Sequence, residues 1–397
     1  MTSFHSRVKR RPGSPTPGWF TRGPDGYNSE SLSVYEHGDF CPVLLGDVKG
    51  GQDLLQSGNT ISFKIVAKLG YGSFSTVWLA KNVKTDEYLA LKFLTLKCST
   101  RDNTEMRILK KLGKLRCAFF YKHINNLEYL CLGMDPAGSS LHDRENSEVP
   151  LPSSISTITT FISCLVNRVL TLHQLGIHHG DITSKNVVLG LHKDAFTSEA
   201  LHNSFMCDCN VDIFYIGEEG EAPSLPPNLP KYIVQHEEIG LLTDKEDMSK
   251  VDLIDFGLSF EEPTKTKVWG TKYYQAPENE EGRCASAKSD LWSLGCVLLY
   301  GLAGENFFEE HDQHDYLNHD DDSQLLMIDD HLSENRCLGK NISFRMLIGD
   351  IIHHLLQKDP SKRDPDTVRD LLRKLESGDY GYDSGNSQDG SSDENEI

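Results

Sequence analysis

The sequence predicts an α+β fold of two lobes, in which a small strand-rich lobe precedes a larger helical lobe. Residues 63–94 contain three short segments that predict strands, and the first of them, 63–69, alternates apolar and polar residues as a half-buried strand does. After Asp135 the apolar residues recur at helical spacing, beginning with a long segment at 155–175. We place the small lobe at 36–135 and the large lobe at 136–375.

The two ends of the chain are too polar to add to a core. Residues 1–35 are rich in Pro, Gly, Ser and Arg, and residues 376–397 are acidic and rich in Gly and Ser. Both are predicted to be disordered, as a basic arm and an acidic tail. The basic run 7–11 has two interpretations, a nuclear-import signal or a solvated tail.

Composition limits the compartment and the partners. The 397 residues include ten scattered cysteines without a C-x-x-C pair, and no apolar run approaches the roughly 20 residues that span a bilayer. The start lacks the apolar segment of a secretory signal. We therefore expect a monomer in the cytoplasm and/or nucleus, with no membrane contact. A net charge of −19 argues against direct nucleic-acid binding and favours basic partners.

A glycine-rich turn joins the first two predicted strands, 63–69 and 75–80. A turn between two strands argues against a dinucleotide fold, whose glycines open a helix. It favours a hairpin over phosphate oxygens, with a plain hairpin turn as the alternative. The candidate contacts are Leu69, Gly70, Tyr71, Gly72, Ser73, Phe74, Ser75, Thr76 and Val77.

Charged and polar side chains follow in a definite order. Lys92 lies in a third strand, 88–94, and Glu105 lies in the next helix, 103–112, as its ion-pair partner. The alternative is a surface lysine and a solubilising glutamate. Asp181 and Asn186 share the loop 179–186, for which a solvated turn is the alternative, and Asp255 follows a buried strand at 251–254.

These segments, in this order, resemble the protein kinases. The loop 179–186 is a variant of the kinase catalytic loop, and residues 276–278 and 359–363 match later kinase motifs, in which Arg363 would pair with Glu278. The resemblance implies ATP and Mg²⁺ as cofactors and a protein substrate. It makes Asp181 the acceptor of the substrate proton, with Lys92 paired to Glu105, and Asn186 and Asp255 the metal ligands.

The resemblance also predicts which residues contact the adenine of ATP, and it indicates a particular group within the protein kinases. Adenine would lie against Val77, Ala90 and Val188, beside the lobe connection at Met134 and Asp135. Residues 38–47, residues 68–79 and the triplet His-Gly-Asp at 179–181 resemble the SR-protein kinases, particularly fungal ones. This implies transfer to Ser/Thr hydroxyls in basic Arg/Ser-rich proteins.

An insert separates the two halves of the predicted site. Asp255 follows Asn186 by 69 positions, against about a dozen in an uninterrupted kinase. We place the insert at about 190–250 and predict an irregular excursion with an extended return at 231–234. Inserts at this junction are typical of the SR-protein kinases.

Two residues depart from the kinase template. Gly180 replaces the arginine that holds an activation-loop phosphate, which predicts activity without that phosphate. Thr183 replaces the lysine that neutralises the transferred phosphoryl group. Lys185 supplies a cation where tyrosine kinases carry one, immediately before the asparagine; the alternative is a solvent-facing Lys185. A pseudokinase that acts as a nucleotide-binding scaffold remains the alternative function.

The segment 305–334 is strongly acidic and contains four histidines. It has two interpretations, a solvated acidic loop or a docking surface for Arg/Ser-rich substrates.

Overall fold

The computed structural model describes residues 30, 33–36, 38–124, 126–143, 151–197, 213–215, 229–230, 232–234, 239–263, 271–280, 282 and 284–380. All elements below belong to these residues.

One antiparallel sheet of six strands forms the small lobe, in the order β1-β2-β3-β4-β6-β5. The third predicted strand coincides with β4, and the first two lie within β2 and β3. The hairpin β2–β3 closes at the glycine-rich turn, where Gly72 pairs with Ser75. The strands are β1 (Val48–Gln52), β2 (Thr60–Gly72), β3 (Ser75–Asn82), β4 (Tyr88–Leu94), β5 (Leu115–Lys122) and β6 (Glu128–Met134).

The helix that carries Glu105 packs against this sheet. It is α2 (Thr104–Lys111), preceded by the short α1 (Ser33–Glu36). The Asn103 side chain caps α2 by accepting a hydrogen bond from the Met106 amide. Glu105 is buried on the same face as Ile108, so the helix directs a carboxylate towards the interior. The predicted helix is confirmed.

The large lobe is helical around one apolar core. Its long helices are α3 (Ile155–Gln174) and α5 (Ala287–Ala303), each opened by a serine capping box. By length and composition α3 could span a membrane, but its buried residues belong to this core. The others are α4 (Pro277–Glu280), α6 (Phe307–Glu310), α7 (Gln313–Tyr316), α8 (Asp321–Ser333), α9 (Ile342–Leu355) and α10 (Pro365–Ser377).

Short strands and 3₁₀ turns complete the two lobes. The strands are β7 (Val187–Val188), β8 (Ile213–Tyr215), β9 (Tyr232–Val234) and β10 (Asp252–Leu253). The pairs β7–β10 and β8–β9 are both antiparallel. The 3₁₀ turns of the chain are Leu96–Cys98, Gly240–Leu242, Met248–Lys250, Lys272–Tyr274, Leu338–Lys340 and Pro360–Lys362.

The acidic segment 305–334 is not a loop. It forms α6, α7 and α8, because apolar residues between the acidic ones are buried in the lobe core; these are Phe307, Phe308, Tyr316, Ile328 and Leu332. Asp320 caps α8 by accepting a hydrogen bond from the Ser323 amide. The loop interpretation is wrong, while the acidic side chains of these helices remain largely exposed.

The packed part of the chain extends beyond both predicted ends. Glu30 and Tyr35 are buried, so the predicted disordered arm does not reach residue 35. At the other end, α10 continues to Ser377, and the Tyr380 ring packs 5.1 Å from the Phe344 ring. Residues 1–29 and 381–397 lie outside the described residues.

The two described ends of the insert run side by side. Leu191 and Thr243 form an antiparallel bridge, and Asp244 donates to the Gly190 carbonyl. Strand β9 confirms the predicted extended return. Three of the prolines in the predicted excursion, at 223, 226 and 227, lie outside the described residues.

Candidate active site

A buried ion-pair cluster joins the two lobes. Lys92 lies in the middle of β4, and its Nζ is 2.5 Å from Glu105 Oε1 and 2.8 Å from Asp255 Oδ1. Lys92 and Glu105 are each only 5% exposed, whereas the Asp255 side chain is half exposed. The alternative of a surface lysine and a solubilising glutamate is therefore wrong.

Burial and mutual attraction set the charges of this cluster. Burial alone would lower the pKa of Lys92, but Glu105 and Asp255 outweigh it and hold the pKa above its usual value. Lys92 in turn lowers the pKa of Asp255. Burial raises the pKa of Glu105, against the pull of Lys92. The result is a fixed cation beside an ionised carboxylate at the cleft between the lobes.

The backbone holds Asp255 in a costly conformation. Its φ is +61°, in the left-handed region that residues with a Cβ rarely adopt. The Gly257 amide donates to Asp255 Oδ1 at 3.2 Å, and a Cβ on Gly257 would lie 3.1 Å from the same oxygen. A glycine at 257 therefore lets the carboxylate turn back onto the backbone and reach Lys92.

Asp181 and Asn186 contact each other within the loop that precedes β7. Asn186 Nδ2 donates to both the Oδ2 and the main-chain oxygen of Asp181, each at 2.9 Å. The Thr271 hydroxyl donates to Asp181 Oδ1 at 3.4 Å. Burial raises the pKa of Asp181, which makes its carboxylate a stronger base than an exposed aspartate.

The oxygen atoms left over in this cluster fit a magnesium ion. The Asn186 side-chain nitrogen donates its hydrogen bonds to Asp181, which leaves Asn186 Oδ1 able to coordinate a metal ion. Asp255 Oδ1 is engaged by Lys92 and the Gly257 amide, which leaves Oδ2. The Ile254 amide donates to the Asn186 carbonyl at 3.0 Å, so the two segments are tied together. Carboxylate and amide oxygens are the ligands that Mg²⁺ prefers.

Asp290, on α5, holds the loop 179–186 in place. Its carboxylate accepts hydrogen bonds from the amides of His179 (2.7 Å) and Gly180 (2.9 Å), and His173 Nε2 lies 3.0 Å away. Burial would raise the pKa of Asp290, but His173, the electrostatic effect of His179 and the Gly180 amide hold it below the usual value. The sequence prediction counted residues 290–295 among the kinase signals but gave Asp290 no role of its own, since an aspartate in the first turn of a helix is common.

A model of the protein kinase domain matches residues 63–196 and 239–373, which is more than half of the chain. The chain belongs to the protein kinase family. The unmatched residues 197–238 fall inside the predicted insert, so the kinase fold continues on either side of it.

Similar curated kinases support this assignment at low identity. Serine/threonine-protein kinase AFC1 of Arabidopsis thaliana is 26% identical over 288 residues, which cover 70% of this chain and 55% of that protein. AFC3 of the same plant is 25% identical, covering 78% and 72%. The dual specificity protein kinase lkh1 of Schizosaccharomyces pombe is 24% identical, covering 72% and 37%. The chain thus spans between about a third and three quarters of these relatives, none of which is named an SR-protein kinase.

The glycine-rich turn of this kinase is open to solvent. Tyr71, Gly72, Ser73 and Phe74 are exposed, and a Cβ on Gly70 or Gly72 would meet no atom within 4 Å. Crowding within the chain therefore does not require these glycines, which leaves close approach of a ligand as a reason for them. The open geometry fits the predicted phosphate contact.

The predicted adenine contacts come from several segments of both lobes. Ala90 pairs with Met134 across β4 and β6, and Val188 is buried in β7 of the large lobe. Val77 is half-buried, and Asp135 is exposed with its carboxylate on Arg116.

Strand β3 divides the predicted contacts between its two faces. Successive side chains of a strand point to opposite faces of a sheet, so Thr76 lies opposite Val77. Thr76 is buried, and its hydroxyl accepts a hydrogen bond from Trp78 Nε1 at 3.0 Å. The Thr76 side chain is thus turned away from the face of Val77, and only its backbone can serve the nucleotide.

Gly180 is required by the loop conformation itself. Its φ is +80°, and a Cβ would lie 2.7 Å from the Leu258 carbonyl oxygen and 3.2 Å from the Phe260 ring. The sequence prediction interpreted Gly180 only as a lost phosphate ligand. The geometry adds that an arginine could not enter this position without moving the segment that carries Asp255.

Thr183 and Lys185 face different surroundings. Thr183 is 2% exposed, so its hydroxyl lies inside the loop. Lys185 is exposed, and it makes no hydrogen bond or ion pair with any residue that the structure describes. Its ammonium is free to reach a bound phosphate or to remain in solvent, so its catalytic role stays a prediction.

Proposed function

We propose that this protein is an active kinase that transfers the γ-phosphoryl group of ATP to Ser/Thr hydroxyls of basic, Arg/Ser-rich proteins. The observation that carries the proposal is the convergence of Lys92, Glu105 and Asp255 with the Asp181–Asn186 pair at one cleft. A chain that had lost catalysis would be expected to lack at least one of these groups, and all five are in contact with a partner.

Each group has a definite task in the proposed reaction. Lys92, fixed by Glu105, would hold phosphate oxygens, and the glycine-rich turn would cover them. Mg²⁺, held by Asn186 and Asp255, would neutralise phosphate charge. Asp181 would accept the proton of the substrate hydroxyl as that oxygen attacks phosphorus.

The charge of the chain supports a basic substrate. Exposed carboxylates on and beside α6–α8 form an acidic surface, which we define as Glu309, Glu310, Asp315, Asp320, Asp321 and Asp322. Such a surface attracts arginine-rich peptides and steers their association at low salt. Together with the resemblance noted in the sequence, it favours a substrate preference of the SR-protein-kinase type. We also infer a monomer in the cytoplasm and/or nucleus that binds neither nucleic acid nor membrane directly.

The test is phosphate transfer from ATP to an Arg/Ser peptide, by the wild type beside Asp181→Ala. We expect transfer by the wild type alone, onto serine or threonine. A Lys/Ser and a Glu/Ser peptide of equal length are the controls for arginine and for positive charge, and equal rates on all three would contradict the substrate preference.

The second candidate is a pseudokinase that binds nucleotide and serves as a scaffold. Thr183 favours it, because a buried neutral hydroxyl replaces a catalytic cation. ATP binding by the wild type without transfer to any peptide, under conditions where Asp181→Ala behaves identically, would establish this alternative.

A further inference from the structure

A fully buried lysine lies two residues before the glycine-rich turn. Lys68 on β2 is 0% exposed, and a buried ammonium is stable only when it is paired and hydrogen-bonded. Its partners come from two distant segments. Lys68 Nζ forms an ion pair with Glu30 and donates to the Val234 carbonyl at 2.9 Å.

Glu30 is itself held in place from the N-terminal segment. It is 4% exposed, and the Tyr35 hydroxyl donates to its Oε1 at 2.5 Å. Tyr35 packs edge-on against Phe40 at 5.7 Å and shares a small apolar cluster with residues of the insert, Leu229 and Ile233. The segment before the kinase domain and the returning strand of the insert therefore meet around Lys68.

The backbone beside Lys68 is irregular at the point where the turn begins. Lys68 pairs with Trp78 and Gly70 with Val77, so the ladder slips by one residue between them. A bulge interrupts the pairing and bends its strand, so the direction of the chain beyond it depends on other contacts. Lys68 Nζ also lies 5.5 Å from the ring centroids of Trp78 and of Tyr71, the latter within the turn itself.

We propose that Glu30 is a positioning residue for nucleotide binding, which acts through Lys68 to set the direction of the glycine-rich turn. The described bonds of Glu30 are to Lys68 and Tyr35, and it precedes the first residue matched by the kinase-domain model by 33 positions. The proposal rests on the nucleotide binding proposed above and assigns part of that binding to the segment before the domain.

Loss of Glu30 would leave the Lys68 ammonium buried without a counter-ion. Lys68 must then either lose its proton or move towards water, and either change shifts β2 at the bulge. Burial already lowers the pKa of Lys68, and the Glu30 carboxylate opposes that shift. The expected consequence is a glycine-rich turn that no longer closes over phosphates, with the catalytic groups of the large lobe left in place.

A second buried lysine in the same sheet provides a matched control. Lys49 on β1 is 6% exposed, and its Nζ is 3.1 Å from Asp47 Oδ2. Asp47→Asn and Glu30→Gln each remove the carboxylate that pairs with a buried lysine. Only one of these lysines, Lys68, adjoins the glycine-rich turn. Both variants should unfold at lower temperature than the wild type.

The experiment measures the Kd for Mg–ATP by calorimetry, with KM and kcat for transfer to a peptide. Glu30→Gln is expected to weaken ATP binding about tenfold, the equivalent of one charge-assisted hydrogen bond, with kcat at saturating ATP nearly unchanged. Asp47→Asn should leave the Kd for ATP unchanged. Equal ATP affinity in the wild type and Glu30→Gln would overturn the proposal.

Tyr35→Phe covers the case in which Glu30→Gln does not fold. It keeps the Glu30 charge and removes one hydrogen bond to it, so ATP should bind about threefold more weakly. An unchanged Kd in this variant would also overturn the proposal. Failure of the wild type to bind Mg–ATP would instead contradict the proposed kinase function, so the two failures are distinguishable.

Discussion

Arg363 and Glu278 form a buried two-point ion pair across 85 positions of the chain. Nη1 lies 2.7 Å from Oε1 and Nη2 lies 3.0 Å from Oε2, and Arg363 is fully buried. The pair fixes the segment after the catalytic cleft to the end of the large lobe, and it confirms the pairing predicted from the sequence.

Arg363→Lys should destabilise the protein by about 3 kcal/mol, because a lysine cannot make both parallel bonds and leaves part of a buried carboxylate unpaired. Chemical denaturation measures the loss. Arg373→Lys is the control, since its pair with Asp370 is largely exposed and contributes about 0.5 kcal/mol or less. Similar losses in the two variants would contradict the importance of the buried geometry.

Asp181→Asn should reduce kcat by about 10²–10⁴-fold, since an amide cannot accept the substrate proton. The change keeps the size of the side chain, so the Kd for ATP should remain within a factor of about two of the wild type. Single-turnover transfer to the peptide and ATP titration check the two parts separately. A large loss of ATP affinity would indicate that Asp181 serves the structure of the cleft.

The pH profile of transfer should have its acidic limb above the usual pKa of an aspartate. Burial raises the pKa of Asp181, and only the deprotonated form can accept a proton. The rate is therefore full above the raised pKa and falls as the pH drops through it. Asp255, whose pKa Lys92 lowers, stays ionised throughout this range. A rate that stays constant down to the pKa of an exposed aspartate would contradict the assignment.

Lys185→Met should cut transfer steeply and leave ATP binding nearly intact, because a cation near the transferred phosphoryl group stabilises the transition state more than the bound nucleotide. Lys193→Met is the control, since Lys193 is also exposed but lies beyond β7, in the insert. If Lys185→Met and the wild type transfer phosphate at the same rate, Lys185 faces solvent and Thr183 has no replacement.

Gly180→Ala should destabilise the fold more than Gly176→Ala. Both glycines have positive φ, which costs an alanine about 1 kcal/mol, but only Gly180 adds a close contact, with the Leu258 carbonyl oxygen. A Cβ on Gly176 meets nothing within 4 Å. Thermal unfolding of both variants provides the comparison, and equal shifts would show that the contact relaxes freely.

Much of the fold could be predicted because the relevant signals are local. Strand β4 follows from a short, mostly apolar segment and helix α2 from helical spacing, each within a dozen residues of sequence. The acidic helices were missed because charge was given more weight than the apolar residues between the acidic ones. A count of carboxylates does not reveal that Phe307 and Tyr316 are buried.

The residues that would carry out the chemistry of the candidate site were predictable from the sequence. The residues that hold them in place were less so. Lys92, Glu105, Asp181, Asn186 and Asp255 are found by motif spacing, and the structure brings them to one cleft. The Lys68–Glu30 pair joins residues 38 positions apart, so no local sequence pattern predicts it. Gly180 illustrates a third case, in which the residue was noticed but its steric cause depends on Leu258, 78 positions away.

The Asp290 anchor has a consequence for how the enzyme would turn over. Lys92 and Glu105 travel with the sheet, whereas the His179 and Gly180 amides bind a carboxylate of the helical lobe. An outward tilt of the small lobe, which would release a spent nucleotide, would break the Lys92–Asp255 contact. The Asp181–Asn186 geometry need not change at all. In each catalytic cycle, Lys92 and Glu105 would return to a proton-accepting loop whose Asp181–Asn186 geometry had not changed.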